Sequence, residues 1–492
     1  SAFFVRNSLT SGPAERVVVF GNPGDEPFVG DFDGDGKDTF GVYRWGGRVY
    51  LSNSIKSPTT AASFRFGNPG DRPVAGDWDG DGRDSVAVYR SSTGRVYFHG
   101  SGNTVHVGNY ATALGATANP GAQAAPAPPV RAADTPVAWD IDVELWPGDN
   151  IASIAKNAPT GTVFRINGRH TGQSVEPRQG QVFVGAPGAV LDGRNREEDA
   201  FSGDAKNVVI QGLEITGYNS DLQKGAIHPS GDGWVIRGNN IHHNAAVGIK
   251  YSHADGARIE GNYIHHNVQM GIGVGYSSGT VVEGNEIAYN NWEAEVSWGW
   301  EAGGTKFWKT QGLVVRNNYS HDNHGPGLWS DKNNYNILYE GNLIEDNYAN
   351  GIFHEIGYKA VIRNNTIRRN GFGHDSWLWG SGVLIASSQD VEVYGNIIEG
   401  NYNGITMTQQ RRGSGDRGEY LAQNNSVHDN LIINSGITGA ARDTDSDAIY
   451  SSNNTFRGNN YVGENRWKWQ EGQVSWARWQ ALGFDRSGSN KP

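Results

Sequence analysis

Short apolar and β-branched strings recur along residues 234–462, and Gly, Asn and other polar residues separate them. Strings such as WVIRGNNI, ARIEGNYI, TVVEGNEI and VEVYGNII each contain a Gly-Asn or Asn-Asn pair. These pairs begin at residues 238, 261, 284, 317, 341, 364, 395 and 458, and the first six steps are 23, 23, 33, 24, 23 and 31 residues. A second Asn follows five residues after the first in most copies. A fixed period of about 20 to 50 residues predicts a solenoid or a related repeat architecture.

Gly and Asn at the corners of such a repeat favour a coil of short strands. Both residues adopt tight or left-handed backbone at little cost, which the corners of a coil require. Asn side chains stacked in successive coils can also hydrogen-bond from one coil to the next. The pattern therefore predicts an all-β chain whose main part is a parallel β-helix.

Residues 135–492 resemble the right-handed parallel β-helix proteins of the pectate-lyase-like class. The resemblance begins at WPGDN (146–150) with the helix-like segment IASIAKNAP, and it ends at the tail VSWARWQALGFDRSGS. It implies that residues 135–206 cap and start the coil, which then runs from Asn207 to about Val462. Such coils carry lyases, hydrolases, epimerases and binding proteins, so the fold alone does not give the function.

Residues 1–110 contain a different repeat. FGNPGDEPFVGDFDGDGKDTFGVYR and FGNPGDRPVAGDWDGDGRDSVAVYR lie 46 residues apart and resemble VCBS/FG-GAP-like repeats. Alternate Asp side chains on a tight Gly-containing loop can converge on a hard cation, so we expect structural Ca²⁺. The alternative is a turn held by Asp-to-backbone hydrogen bonds, with the metal optional. The expected ligands are Asp31, Asp33, Asp35, Asp38, Asp77, Asp79, Asp81 and Asp84.

Composition restricts the class of protein and its partners. Residues 111–134 are rich in Ala, Pro and Gly and predict a linker between the repeat module and the β-helix. The 492-residue chain has no Cys, so it has no disulfide framework. Its net charge of −11 argues against a nucleic-acid or anionic-membrane partner. No apolar run is long enough for a membrane span. The resemblance implies a secreted protein.

The strand that follows the second Asn of each repeat can be aligned on its Gly, as in GIKYS, GTKFW, GLWSD and GIFHE. Side chains alternate along a strand, so we expect the residue after Gly to point inward and two later columns to point outward. The second outward column brings Asp331 and Glu355 side by side in adjacent coils, on an exposed face. Neighbouring carboxyls force their pKa values apart, which is the division that hydrolysis of a glycosidic bond needs. We expect this pair to be catalytic, with Glu301 as a third carboxylate.

Three coils carry insertions, at residues 291–303, 371–381 and 409–420, which we expect at the same corner as walls around the site. Aromatic residues of the walls and floor suit sugar rings, and two lysines suit an acidic sugar. The expected substrate-binding residues are Trp308, Trp329, Lys306, Lys250, Trp298, Trp300, Trp377 and Trp379.

Several other polar residues have simpler interpretations. We expect His354 to point inward, and the pairs His242-His243 and His265-His266 to form a polar ladder rather than a metal site. Two further sets of residues remain open. The first set lies on the insertions and is interpreted as wall residues: His374, Asp375, Arg411 and Arg412. The second set is interpreted as a turn, with a second cation site as the alternative: Asp443, Asp445 and Asp447.

The sequence favours a secreted glycoside hydrolase that cleaves a polysaccharide with Asp331 and Glu355 and needs no cofactor for catalysis. A first alternative is a polysaccharide lyase or C5-epimerase on a uronic-acid polymer, with Lys306 as base and the two carboxylates as metal ligands. A second alternative is a glycan-binding protein without enzymatic activity.

Overall fold

The structure is a computed structural model that divides into two compact units, residues 1–125 and 126–492. It describes residues 2–5, 16–21, 25–44, 47–67, 71–77, 82–90, 95–99, 105–109, 139–374, 376–442, 449, 452–470 and 472–491. The expected linker, residues 111–134, lies outside the described residues.

The N-terminal unit is built from antiparallel strands. A two-stranded ribbon is followed by one four-stranded sheet for each copy of the repeat. The strands are β1 (Ala2–Val5) and β2 (Arg16–Val19), then β3 (Glu26–Gly30), β4 (Thr39–Arg44), β5 (Arg48–Leu51) and β6 (Ala62–Arg65), and finally β7 (Arg72–Gly76), β8 (Ser85–Arg90), β9 (Arg95–His99) and β10 (Val105–Asn109). Phe28, Tyr43, Val49 and Val88 belong to the apolar cluster of this unit.

The C-terminal unit is a parallel β-helix whose chain passes through three long sheets in each coil. Within the described residues sheet I has 13 strands, which are β11 (Val143–Leu145), β12 (Val163–Ile166), β14 (Val182–Gly185), β17 (Val209–Gln211), β20 (Val235–Arg237), β23 (Arg258–Glu260), β26 (Val281–Glu283), β29 (Val314–Arg316), β32 (Ile337–Glu340), β35 (Ala360–Arg363), β38 (Val391–Tyr394), β43 (Ser426–His428) and β46 (Thr455–Arg457).

Sheet II contains the strand that follows the first Asn of each repeat. Its described strands are β13 (Arg169–Thr171), β15 (Val190–Asp192), β18 (Glu214–Thr216), β21 (Asn240–His242), β24 (Tyr263–His265), β27 (Glu286–Ala288), β30 (Tyr319–His321), β33 (Leu343–Glu345), β36 (Thr366–Arg368), β39 (Ile397–Glu399), β44 (Leu431–Ile433), β47 (Asn460–Val462) and β50 (Ser489–Lys491).

Sheet III carries the aligned GIKYS-type strands. Its described strands are β16 (Phe201–Gly203), β19 (Gly225–Pro229), β22 (Val247–Ser252), β25 (Met270–Ser278), β28 (Gly303–Gln311), β31 (Leu328–Asp331), β34 (Ile352–Glu355), β37 (Ser381–Ala386), β40 (Asn403–Gln409), β45 (Ile437–Arg442), β48 (Arg466–Trp469) and β49 (Gly472–Val474). A small hairpin of β41 (Ser414–Gly415) and β42 (Gly418–Glu419) stands apart from the three sheets.

Two internal lines of Asn side chains hold the coils in register, as the sequence predicts. In the first line each Nδ2 donates to the Oδ1 of the next Asn at 2.9–3.0 Å, through Asn239, Asn262, Asn285, Asn318, Asn342, Asn365, Asn396, Asn430 and Asn459. The second line does the same through Asn244, Asn267, Asn290, Asn323, Asn347, Asn370 and Asn401. The aligned glycines leave room for it: a Cβ on Gly248 would lie 3.0 Å from Nδ2 of Asn267.

The apolar column after the aligned glycine points inward, as predicted. Ile249, Ile272, Leu328, Ile352 and Ile405 are fully buried in one continuous core. Because this column faces inward, the next residue of each strand faces outward, which fixes the two columns that carry the site.

The coil is longer than the sequence predicts. Strands of sheet I already pair in parallel at Val143–Leu145 and Val163–Ile166, so the coil starts well before Asn207. Helix α1 (Ile151–Asn157), whose N-cap Asn150 accepts from the Ser153 N–H, buries an apolar side against the first coils. At the other end, helix α2 (Trp476–Ala481) buries Trp479 and the strands continue to Ser489–Lys491, beyond Val462.

The prediction that all three insertions lie at one corner is wrong for the third. The first two, at 291–303 and 371–381, connect sheet II to sheet III, whereas 409–420 follows β40 and leads back to sheet I. The Gly-Asn pattern does not show one copy of the repeat, Asp429-Asn430, because Asp replaces the usual Gly. Walls therefore stand on both edges of sheet III and form a groove over its outer face.

Candidate active site

Both outward columns of sheet III are in register across the coils. Gly275 pairs with Trp308, Trp308 with Asp331, and Glu355 with Ala386. The expected open face is instead the floor of the groove, because the insertions cover it: Trp329 is only 3% exposed. Asp331 and Glu355 lie in adjacent strands of this floor, and strands of one sheet are about 4.8 Å apart.

Lys306 occupies the position beside Asp331. Its Nζ lies 2.9 Å from Oδ2 of Asp331 and 3.6 Å from Oε1 of Glu301. The same ammonium stands 3.7 Å above the centre of the Trp329 ring, a favourable cation–π position. Asp331 therefore has an ionic partner, while its buried Oδ1 has no hydrogen-bond partner within the described residues.

Glu355 has a different environment, although it lies one coil away. Burial raises the pKa of Glu355, and the neighbouring Asp331 raises it further, whereas Arg412 and Lys306 lower it. Arg412 donates to Oε1, and Trp329 Nε1 donates to Oε2 at 3.2 Å. The two carboxyls thus differ in their partners and in their burial.

Aromatic residues of the first two insertions form one wall of the groove. Trp298 packs against His374 with ring centres 4.2 Å apart, which joins the two insertions. His374 stacks on Trp379 at 5.6 Å. Trp379 in turn meets the edge of Phe353 on the floor. These rings give the groove the flat apolar surfaces that sugar rings favour.

The remaining Trp residues of the first two insertions are Trp377, Trp300 and Trp292. Trp377 packs against Trp379, with ring centres 6.4 Å apart. Trp300 is 51% exposed, and the described residues give it no ring partner. Trp292 packs outside the groove, against the rings of His243 and His266.

The third insertion forms the opposite wall. Tyr420 packs with Tyr358 and Ile356 in a small apolar cluster. Tyr358 Oη donates to the carbonyl of Gly418 at 3.0 Å, which holds the insertion down on the coil. This docking brings Arg412 to Glu355, and no sequence period could have revealed it because the two are 57 residues apart.

Lys250 and Trp308 continue the floor toward the N-terminal end of the coil. The Lys250 ammonium lies 4.1 Å from the centre of the Trp308 ring. Trp308 lies flat across the preceding coil because residue 275 is Gly: a Cβ there would come within 2.0 Å of the ring. Burial lowers the pKa of Lys250 to about 8, Glu301 acts in the opposite direction, and Lys306 adds to the lowering.

His354 points inward, as expected. Its Nδ1 bonds to Oγ of Ser330 at 2.6 Å, and its Nε2 donates to the carbonyl of Tyr358 at 2.9 Å. Burial lowers its pKa to about 4. His354 therefore supports the two strands that carry the carboxylates and does not reach the groove.

The two His pairs form the expected polar ladder on the corner after sheet II. His242 stacks on His265 and His243 on His266, with ring centres 4.8 and 5.0 Å apart. Within each pair the two Nδ1 atoms are 2.8 Å apart. Burial lowers the pKa values of His242 and His266 to about 4 and about 3, so both stay neutral. Asp375, Asp443, Asp445 and Asp447 lie outside the described residues.

In the N-terminal unit, Asp31, Asp33 and Asp35 offer carboxylate oxygens within 4.8 Å of one another. Asp31 also accepts N–H donors from Gly34, Asp35 and Gly36 at 2.8–3.1 Å. Asp84 of the second copy accepts the Asp31 N–H at 2.8 Å. Both expectations for this loop, a cation site and a turn held by Asp-to-backbone hydrogen bonds, are compatible with these contacts. Asp38 and Asp77 belong to the described residues, whereas Asp79 and Asp81 do not.

Comparisons with known proteins agree with this architecture. The family model described as "Right handed beta helix region" matches residues 225–382. None of the curated proteins matches the chain. Within the described residues, no helix is long and apolar enough to cross a membrane.

Solved structures of similar shape include the A-modules of two Azotobacter vinelandii mannuronan C-5 epimerases. The AlgE6 module is 17% identical, with a TM-score of 0.51, and the match covers 69% of this chain and 92% of that one. The AlgE4 module is 15% identical, with a TM-score of 0.49 and coverage of 69% and 94%. At such identities the likeness concerns the fold. The C-terminal unit of the chain is therefore a right-handed parallel β-helix, as the sequence predicts.

Proposed function

We propose that the chain is a glycoside hydrolase that binds a polysaccharide in the groove over sheet III and cleaves it with Asp331 and Glu355. The observation that carries the proposal is the unequal pair of carboxyls. Burial and the charge of Asp331 raise the pKa of Glu355, while Asp331 forms an ion pair with Lys306. Glycoside hydrolysis uses one carboxyl that gives a proton and a second that acts as nucleophile or base, and the raised pKa of Glu355 favours the first role for Glu355.

In this proposal Glu355 donates a proton to the leaving oxygen and Asp331 acts as nucleophile or as base toward water. Glu301 shares the Lys306 ammonium and helps to hold it. The free Oδ1 of Asp331 faces no competing donor among the described residues. Trp308 and Trp379 supply the surfaces for sugar rings, whereas Trp329 is buried between Lys306 and Phe353 and supports the floor.

A lyase or C5-epimerase is the second candidate, because Lys250 is a buried lysine whose pKa is lowered to about 8, which suits a general base. Lys306 fits the role of base less well, since it would have to give up its bond to Asp331. A divalent metal ion between Asp331 and Glu355 would also lie beside the charges of Lys306 and Arg412, which repel it.

We further propose that the N-terminal unit binds structural Ca²⁺ through Asp31, Asp33 and Asp35, which converge on one point. Both proposals fit an extracellular protein that acts on polysaccharide outside the cell.

The test is a product screen on plant, algal and bacterial polysaccharides that follows new reducing ends and C4–C5 unsaturation. Hydrolysis gives reducing ends without unsaturation. Glu355→Gln and Asp331→Asn should each lower turnover by about 100-fold or more, whereas Glu399→Gln, an exposed carboxylate on sheet II, should not. Unsaturated products would replace this proposal with the lyase. Binding without either product would leave a glycan-binding protein or a C5-epimerase, because epimerisation creates neither a reducing end nor a double bond.

A further inference from the structure

Lys250 is a buried cation that the described part of the chain does not neutralise. Lys250 is 5% exposed. Its aliphatic side chain lies over Gly273, where a Cβ would come within 2.9 Å of the Lys250 Cδ. Among the described residues no carboxylate oxygen approaches its Nζ within 4.0 Å, while Lys306 in the same column has two carboxylate partners. A buried charge without a partner is costly.

Gln223 adds a second donor at the same place. Its Oε1 accepts from the Lys250 Nζ at 3.3 Å, while its Nε2 is buried and, within the described residues, has no acceptor. Because amide oxygen and nitrogen share one carbon, the free N–H lies close to the ammonium. Two buried donor groups thus share one spot. The Lys250 ammonium has Gln223 Oε1 as acceptor for one of its three N–H groups, and the Gln223 Nε2 has no acceptor among the described residues, so further acceptors are required, as at an anion site.

The neighbouring structure holds Gln223 in place. Its backbone adopts a left-handed φ of 75°, which is uncommon for a residue other than Gly. Oε1 of Gln269 accepts the Gln223 N–H at 2.7 Å. Nε2 of Gln269 donates to the carbonyl of Glu301 at 2.8 Å. One side chain therefore links Gln223 to the insertion that borders the proposed catalytic site.

We propose that Lys250 and Gln223 bind a carboxylate or sulfate group of the polysaccharide, on a sugar unit other than those at the cleaved bond. Lys250 lies three strands from Asp331 along sheet III, which is about 14 Å. Trp308, between them, would carry the intervening ring. The inference rests on the proposed function only in placing the polysaccharide in this groove, and it assigns the substrate to the acidic polysaccharides.

The experiment measures binding, by affinity electrophoresis, in the Glu355→Gln background so that no chain is cleaved. Two matched pairs serve as probes: polygalacturonate with its fully methyl-esterified form, and dextran sulfate with dextran. Lys250→Met removes the charge and keeps the stem. Lys309→Met is the matched control, because Lys309 also stacks on an aromatic ring, that of Tyr276, at 4.6 Å.

We expect an acidic chain to bind at least about tenfold more tightly than its neutral partner, the factor for one charge-assisted hydrogen bond. Lys250→Met should abolish that preference and Lys309→Met should keep it. The pair that shows the preference identifies the anion as carboxylate or sulfate. Equal affinity within both pairs, no binding of any acidic chain, or a preference that survives Lys250→Met would overturn the inference. Because turnover is not measured, failure of the hydrolase proposal leaves this result intact.

Discussion

The ion pair between Arg412 and Glu355 should influence how the reaction rate depends on pH. Arg412 lowers the pKa of Glu355 against the effects of burial and Asp331, and Lys306 adds to the lowering. In Arg412→Gln the protonated form of Glu355 is favoured more strongly, so the limb of the pH–rate profile that Glu355 sets moves to higher pH. If Glu355 is the proton donor, the alkaline limb moves. If it acts ionised, the acidic limb moves in the same direction.

The size of this effect follows from the contacts. Hydrogen bonds to charged groups contribute about 1.5–3 kcal/mol. The Arg412 side chain is 33% exposed, and solvent screening weakens such pairs, so we take the lower end. Trp329 and Lys306 also remain beside Glu355. About 1.4 kcal/mol is a factor of ten, so at a pH on that limb we expect about a tenfold difference in rate.

The assay is kcat/KM on the best substrate from the product screen, measured between about pH 3 and 10 in buffers of equal ionic strength. Arg411→Gln removes the same charge one residue away and should leave both limbs in place. Loss of activity at every pH, with unmoved limbs, would mean that Arg412 only holds the wall in shape. A limb that moves to lower pH would refute the electrostatic reasoning.

Three further predictions concern the coil, the floor and the N-terminal unit. Asn342→Ala removes the acceptor of two Asn318 donors and should lower the free energy of unfolding by about 2–4 kcal/mol, measured by guanidinium unfolding. Gly275→Ala displaces the Trp308 ring and should raise KM severalfold with little change in kcat. Chelation should lower the melting temperature of the N-terminal unit, and Asp31→Asn should remove its response to added Ca²⁺.

Matched variants separate these effects from general damage. Asn157→Ala removes an exposed amide on α1 and should change stability by less than about 0.5 kcal/mol. Gly299→Ala adds a methyl group in open space and should leave KM unchanged. An Asn342→Ala protein as stable as the wild type would contradict the role assigned to the amide lines. A calorimetric scan unchanged by chelator would count against bound Ca²⁺.

The floor of the site could be predicted from the sequence, because the repeat fixes the register of the strands. Once the Gly and Asn positions are aligned, alternation along a strand decides which side chains face out, and the neighbours of Asp331 and Glu355 follow. The structure places Trp308 opposite Asp331 as that alignment requires.

The walls could not be predicted in the same way, because an insertion has no period. The sequence pattern assigns residues 409–420 to the wrong edge, because Asp429-Asn430 has Asp where the other copies of the repeat have Gly or Asn. The contact of Arg412 with Glu355 depends on how that insertion docks on Tyr358 and Tyr420. The repeat predicts Lys250 in the floor, whereas its partner Gln223 lies in a connection that has no repeat signal and cannot be placed from the sequence.

Because of the two lines of Asn side chains, the number of residues in a coil does not change the spacing between coils along the axis of the β-helix. Successive members of the first line lie 23 to 34 residues apart in sequence, yet every link is a hydrogen bond of 2.9–3.0 Å. A loop at a corner can therefore grow, shrink or be exchanged while the strands keep their alignment. New substrate preferences can then arise by replacing the walls of the groove while its floor stays the same. In the laboratory, the corners between consecutive line members are the positions at which foreign loops should be tolerated.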